Sequence, residues 1–114
     1  MDILLILKII SGVATALTGL YAVLRPKAIE GFTGLVAPGA RGITEFRAVF
    51  GTFFIGIGIG VIVLNSAAAY QLLGIGYLAI FVGRLVSMFV DKSFERSNYI
   101  SLATEIVLGV LLVL

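Results

Sequence analysis

Four charged residues lie inside the last three of the four long apolar stretches of this 114-residue chain, and their types limit the chemistry available to it. Glu45 and Arg47 open the second apolar stretch, Arg84 lies in the third, and Glu105 lies in the fourth. A carboxylate beside a guanidinium can form an ion pair or bind a charged head group. It can also act as a general acid or base while the arginine stabilises developing negative charge. These four residues are therefore the candidate polar site.

Other chemistries are excluded by the residue inventory. The chain has no Cys and no His, so it has neither thiolate nor imidazole metal ligands, and Cys–His nucleophilic catalysis is impossible. We expect no metal and no cofactor. The basic residues are scattered between hydrophobic segments and form no basic face, so nucleic acid is not a predicted partner.

The composition predicts a membrane protein. Hydrophobic residues make up 61% of the chain and charged residues 12%, whereas soluble domains average about 45–50% and about 25%. A span of about 20 apolar residues crosses a hydrocarbon core of about 30 Å. The apolar stretches predict four such spans, at residues 3–24, 43–64, 69–90 and 99–114. We expect one domain over residues 1–114, an all-α four-helix transmembrane bundle.

The loop between the first two spans predicts a short interfacial helix. Pro26 suits the first turn of a helix, and Ile29, Phe32 and Val36 recur at spacings of three and four. Gly34 and then Pro38-Gly39 should end this helix. The 65–68 linker predicts a tight hairpin, and Ser97 is a predicted N-cap for the fourth span.

Glycines predict where the helices pack closely. Gly56 and Gly60 are four residues apart, the spacing that lets two membrane helices approach. Gly51 in the same span and Gly83 in the third complete the predicted packing set.

Depth along the helices predicts that the four charges meet. At about 1.5 Å per residue, all four fall in the same third of the bilayer, with Arg84 about 9 Å from its helix end and Glu105 about 9–12 Å from its own. Glu105 is too short to reach the surface from there, so we expect it to pair with Arg84, with Glu45 or Arg47 within reach.

Plainer interpretations remain open for each residue. Glu45 could complement the positive end of its helix, Arg47 could reach the head groups, and Arg84 could extend to the surface. A structural ion network competes with a binding or catalytic site for the whole group.

The same residues carry a family resemblance over nearly the whole chain. Pro26 and Gly34 are followed by Glu45-x-Arg47-Ala48-x-x-Gly51, then by Gly83-Arg84-Leu85 with Asp91, and finally by Glu105. This pattern resembles a family of small four-helix prokaryotic integral membrane proteins catalogued only as a domain of unknown function. The resemblance implies the four-helix fold and the same four charged residues as the functional set, and it implies no activity.

Three functions fit these observations. The first is binding of a lipid-like or amphipathic small molecule in a charged pocket of the inner leaflet. The second is a structural or accessory subunit of a larger membrane complex, and the third is a membrane enzyme using Glu and Arg on a lipophilic substrate. The missing nucleophiles and metal ligands favour the first two over an enzyme. The expected partners are membrane lipids, other membrane subunits or further copies of the chain.

Basic residues predict the orientation in the cell membrane. The 25–42 loop holds Arg25, Lys27 and Arg41, the 91–98 loop holds Lys92 and Arg96, and the 65–68 hairpin holds none. The positive-inside rule then places both charged loops in the cytoplasm and both termini outside.

Cysteine labelling tests this orientation. In the otherwise cysteine-free chain, Ser93→Cys should react with a membrane-impermeant maleimide only from the cytoplasmic side, and Ser66→Cys only from the outside. Labelling of Ser66→Cys from the cytoplasmic side alone would reverse the orientation.

Overall fold

The protein is all-α in its computed structural model, which describes residues 2–114. Its helices are α1 (Ile3–Leu24), α2 (Pro26–Thr33), α3 (Ala40–Leu64), α4 (Ala67–Val90) and α5 (Arg96–Val113). All except α2 are long and apolar enough to cross a membrane. The predicted fold class, with four long helices and a short one between the first two, is confirmed.

The helix boundaries differ from the predicted ones by a few residues. α3 begins at Ala40, directly after the extended residue Gly39. The Ser66 hydroxyl accepts a hydrogen bond from the Ala69 amide at 3.1 Å and so starts α4 two residues early. The predicted N-cap Ser97 is wrong, because α5 begins at Arg96 with the extended Glu95 before it.

The helix α2 ends at its C-cap Gly34, as the sequence predicted, and does not extend to Val36. Gly34 adopts a left-handed φ of 79°, which glycine accepts without steric cost. Val36, predicted to lie on the apolar side of this helix, instead lies in the loop that follows it.

A π-helical segment inside α3 had no predicted counterpart. Residues Phe46–Thr52 carry the wider hydrogen-bonding pattern, in which the Phe53 amide donates to the Ala48 carbonyl five residues earlier. Such turns are rare and often accompany functional sites. This one contains Arg47 and Gly51.

The chain divides into two compact units, one of residues 9–64 and one of residues 65–114 together with the chain up to Lys8. The single-domain expectation for residues 1–114 stays a prediction.

In the 9–64 unit, α1 and α3 approach at the level of the backbone. A methyl group on Gly58 would lie 2.5 Å from both the Ala16 amide nitrogen and the Gly12 carbonyl oxygen. A methyl group on Gly51 would lie 2.5 Å from the Val23 side chain, and one on Gly19 would overlap the Gly51 carbonyl. Gly51 therefore lies where α1 and α3 approach closely.

Three of the predicted packing glycines do not pack within the chain. A methyl group on Gly56, Gly60 or Gly83 would meet no other part of residues 2–114 within 4 Å, so the packing role of these positions stays a prediction. For the two glycines of α3, the reason is helical phase. Gly58 faces α1, and Gly56 and Gly60 each lie two residues from it, about 200° round the helix.

In the 65–114 unit, the antiparallel α4 and α5 meet at a second glycine pair that the sequence analysis missed. A methyl group on Gly74 would lie 2.9 Å from the Gly109 carbonyl oxygen, and one on Gly109 would lie 2.6 Å from Leu78. Leu112 is fully buried in the same unit, and the buried Tyr70 donates its hydroxyl proton to Asn65 at 3.0 Å. This bond links the start of α4 to the hairpin.

Alanine substitutions separate the packed face of α3 from its open face. We expect Gly58→Ala to destabilise the protein by about 1–3 kcal/mol, because backbone atoms of α1 cannot yield to the added methyl group. Gly56→Ala is the matched control, with no neighbour to displace. Thermal unfolding in detergent measures the stability of both variants. Equal stability of the two variants would contradict the α1–α3 contact.

Candidate functional site

Arg84 and Glu105 form a bidentate ion pair between α4 and α5. Arg84 Nε donates to Glu105 Oε1 at 2.9 Å and to Oε2 at 3.0 Å, and Arg84 Nη2 donates to Oε2 at 2.8 Å. The Glu105 side chain is 8% exposed and that of Arg84 is 31% exposed. The predicted pairing of these two residues is confirmed.

The helix packing explains why Glu105 is buried. Glu105, Gly109 and Leu112 follow one another at spacings of four and three, so they lie on one face of α5, and all three are buried. Close contact of Gly109 with α4 leaves Glu105, one turn away, facing that helix. On α4, Arg84 lies one turn before the buried Met88. The carboxylate therefore meets the guanidinium.

Asn98 is a third member of this site, and the sequence analysis missed it. Arg84 Nη1 donates to Asn98 Oδ1 at 3.0 Å. The amide group of Asn98 in turn donates to the Ser93 carbonyl at 3.1 Å and to the Ser93 hydroxyl at 2.9 Å. Asn98 lies seven residues before Glu105, on the same face of α5, so its spacing from Glu105 was a usable signal.

The loop before α5 is tied into the same set of hydrogen bonds. The Ser93 hydroxyl donates to the Glu95 carboxylate, and this bond lowers the pKa of Glu95 below its usual value of 4.5. At the end of α4, the Ser87 hydroxyl donates to Asp91 at 2.8 Å. Arg84 is thus held by a buried carboxylate on one side and by an anchored amide on the other.

Glu45 and Arg47 lie in the 9–64 unit and have partners there. Glu45 forms an ion pair with Arg41 one turn earlier, and both side chains are largely exposed. Arg47 Nε donates to the Val23 carbonyl oxygen at 3.1 Å. That carbonyl belongs to the last turn of α1, where helix geometry provides no intrahelical donor. Arg47 therefore caps α1, and the expected network of all four charges stays a prediction.

Polar residues on α1 are also buried. Lys8, Ser11 and Thr15 follow one another at spacings of three and four, and each is less than a tenth exposed. The Thr15 hydroxyl donates to the Ser11 carbonyl at 2.8 Å. This bond satisfies the Thr15 hydroxyl within its own helix, as is common for threonine in apolar helices.

The available groups restrict what the Arg84 site can do. Within residues 2–114 no three Asp or Glu side chains come together to hold a metal ion. Nη1 and Nη2 of Arg84 each keep one N–H group without a partner among the described residues. These two N–H groups can therefore donate hydrogen bonds to an oxyanion.

Comparison with known proteins places the chain in a family. Residues 3–114 match the family model described as Domain of unknown function (DUF4345), so the chain belongs to that family. This confirms the family resemblance found in the sequence. Searches of curated proteins and of solved structures each found no match.

A double-mutant cycle measures the Arg84–Glu105 pair. Removing one partner of a fully buried pair costs about 3–5 kcal/mol, and the partial exposure of Arg84 places Arg84→Met and Glu105→Gln toward the lower end. The double variant should lose less than the sum of the two single losses, because no unpaired charge remains. The free energy of unfolding in detergent is measured for the unmodified protein, the two single variants and the double variant. Additive losses would show that the two side chains do not interact.

Proposed function

We propose that the protein binds a lipid-like amphipathic molecule whose anionic head group contacts Arg84. The observation that carries this proposal is that the Arg84 side chain is held in place and still partly exposed. Its guanidinium is bound by Glu105 and Asn98, yet about one third of the side chain is exposed, and each terminal nitrogen keeps an N–H group without a partner among residues 2–114.

The fixed guanidinium suits phosphate or carboxylate oxygens. Arginine binds such groups through paired N–H donors, and hydrogen bonds to charged groups contribute about 1.5–3 kcal/mol. Because Glu105 and Asn98 already hold the side chain, little rotamer freedom is lost on binding.

The surroundings of Arg84 suit an apolar tail. Ile80 lies one turn before Arg84 on the same face of α4 and is exposed. A molecule with its head at Arg84 would lay its chain along this side chain. An ion alone would gain nothing from it.

Lipid retention tests the proposal. The protein is purified in mild detergent from cells, and bound lipids are identified by native mass spectrometry. We expect a stoichiometric lipid with a phosphate or carboxylate head on the unmodified protein and a roughly tenfold weaker retention by Arg84→Met, as the loss of one charge-assisted hydrogen bond implies.

Two further variants separate binding from folding. Arg84→Lys keeps the charge and should retain part of the binding, whereas Arg47→Met removes an arginine that is engaged with the Val23 carbonyl and should leave binding unchanged. An identical lipid complement on the unmodified protein and on a folded Arg84→Met variant would refute the proposal.

A second candidate function, as a subunit of a larger membrane assembly, is favoured by the open face of α3. Gly56 and Gly60 have no neighbour within 4 Å, and their spacing of four suits close approach of another membrane helix. A partner that co-purifies with the unmodified chain and is lost from Gly56→Leu would support this function.

A further inference from the structure

The loop between α2 and α3 is closed around the buried residue Ala37. The Ala37 amide donates to Glu30 Oε2 at 2.5 Å, and the Ala37 carbonyl oxygen accepts from Lys27 Nζ at 3.2 Å. Ala37 itself is 1% exposed. Lys27 and Glu30 of α2 therefore bind the carbonyl oxygen and the amide of Ala37 in the following loop.

The start of the same loop is also fixed. The Gly34 amide donates to the Glu30 carbonyl at 2.9 Å, and the Leu35 amide donates to the Thr33 hydroxyl at 3.1 Å. Gly42 fits against Ala37 from the α3 side, where an added methyl group would lie 2.9 Å from the Ala37 methyl carbon. A loop whose backbone is held at these points keeps its side chains in set directions.

The end of α2 and this fixed loop together expose three large apolar side chains. Phe32 is 48% exposed, Leu35 47% and Val36 75%. We call these three residues the apolar tip. Flexible surface loops usually carry polar residues, so a held loop that presents apolar side chains indicates contact with an apolar phase.

The position of the loop identifies that phase. The loop leaves the candidate span Ile3–Leu24 and enters the candidate span Ala40–Leu64, so both of its ends lie at one surface of the membrane. With α2 taking up half of the connection, the apolar tip remains close to that surface. The bilayer interface is the apolar phase within its reach.

The charges of the segment indicate which lipids it meets. Between Leu24 and Ile43 there are three basic side chains and one acidic one. Lys27 lies 3.8 Å from Glu30, and Arg41 pairs with Glu45, whereas Arg25 forms no ion pair within residues 2–114. Basic side chains beside an apolar insertion attract anionic head groups.

We propose that Phe32, Leu35 and Val36 insert into the interface of a bilayer containing anionic phospholipids, with Arg25 at the phosphate level. Lys27 and Glu30 hold the Ala37 backbone by two hydrogen bonds, here called the Ala37 clamp. The Ala37 clamp fixes the direction of the insertion. This inference does not depend on lipid binding at Arg84, which lies in the other unit.

The absence of tryptophan from the chain supplies a clean test. Val36→Trp introduces a single tryptophan at a largely exposed loop position, where it displaces no packed side chain. The variant is reconstituted in nanodiscs of phosphatidylcholine with phosphatidylglycerol, with or without bromine on the acyl chains. Phe53→Trp, at an exposed position near the middle of α3, is the control for full immersion.

We expect brominated lipids to quench Val36→Trp to within about a factor of two of Phe53→Trp, because interfacial side chains reach about 5–10 Å below the head groups. Aqueous iodide should quench it little. Strong iodide quenching without bromine quenching would overturn the proposal. Protection from both quenchers would also overturn it, since another protein surface or a second copy would then cover the tip.

Two added substitutions test the charge and the clamp. Arg25→Gln in the Val36→Trp background should abolish the gain in bromine quenching between pure phosphatidylcholine and mixtures with phosphatidylglycerol. Glu30→Met should raise iodide quenching, because the Ala37 amide loses its acceptor. Unchanged quenching with Arg25→Gln would remove the anionic-lipid part of the proposal, and unchanged quenching with Glu30→Met would remove the role of the clamp.

Discussion

An ionised side chain inside an apolar helix needs a partner, because hydrocarbon supplies no water to solvate it. In this protein that requirement is met most completely by Arg84 and Glu105, which share three hydrogen-bond contacts of 2.8 to 3.0 Å. The pair also fixes a relation between helices, since it sets the rotation and the axial position of α4 against α5. The glycine contact between Gly74 and Gly109 allows the two backbones to come close enough for it.

In the other unit an arginine also donates to an oxygen atom of a neighbouring helix, but the oxygen belongs to a backbone carbonyl instead of a carboxylate. The last turn of α1 has a carbonyl that no helix residue can bond, and Arg47 reaches it from the π-helical turn of α3. Gly51, in the same turn, allows α1 and α3 to approach. In both units an arginine and a close glycine contact occur together, one supplying polar pairing and the other the short distance that pairing needs.

The sequence allowed the coarse fold to be predicted because its strongest signals are composition and the length of apolar runs. Arg84 and Glu105 were also predictable, since their depths agree and Glu105 cannot reach the surface. The packing face of α3 was not, because spacing alone does not say which of several glycines faces a neighbour. Gly56 and Gly60 form the familiar motif, yet Gly58 lies between them and makes the contact with α1. Asn98 escaped notice because an uncharged amide near a helix start resembles a capping residue.

The central claim is that Glu105 is an ionised carboxylate bound to Arg84 within the apolar part of the protein. Solid-state NMR of the protein in lipid bilayers measures this directly through the carboxyl carbon of Glu105 and its through-space contact with Arg84 Nε. We expect a carboxylate-type shift at neutral pH, a contact between the two groups, and a change in that shift in the Arg84→Met variant. A protonated carboxyl shift at neutral pH, or a shift indifferent to Arg84→Met, would contradict the account.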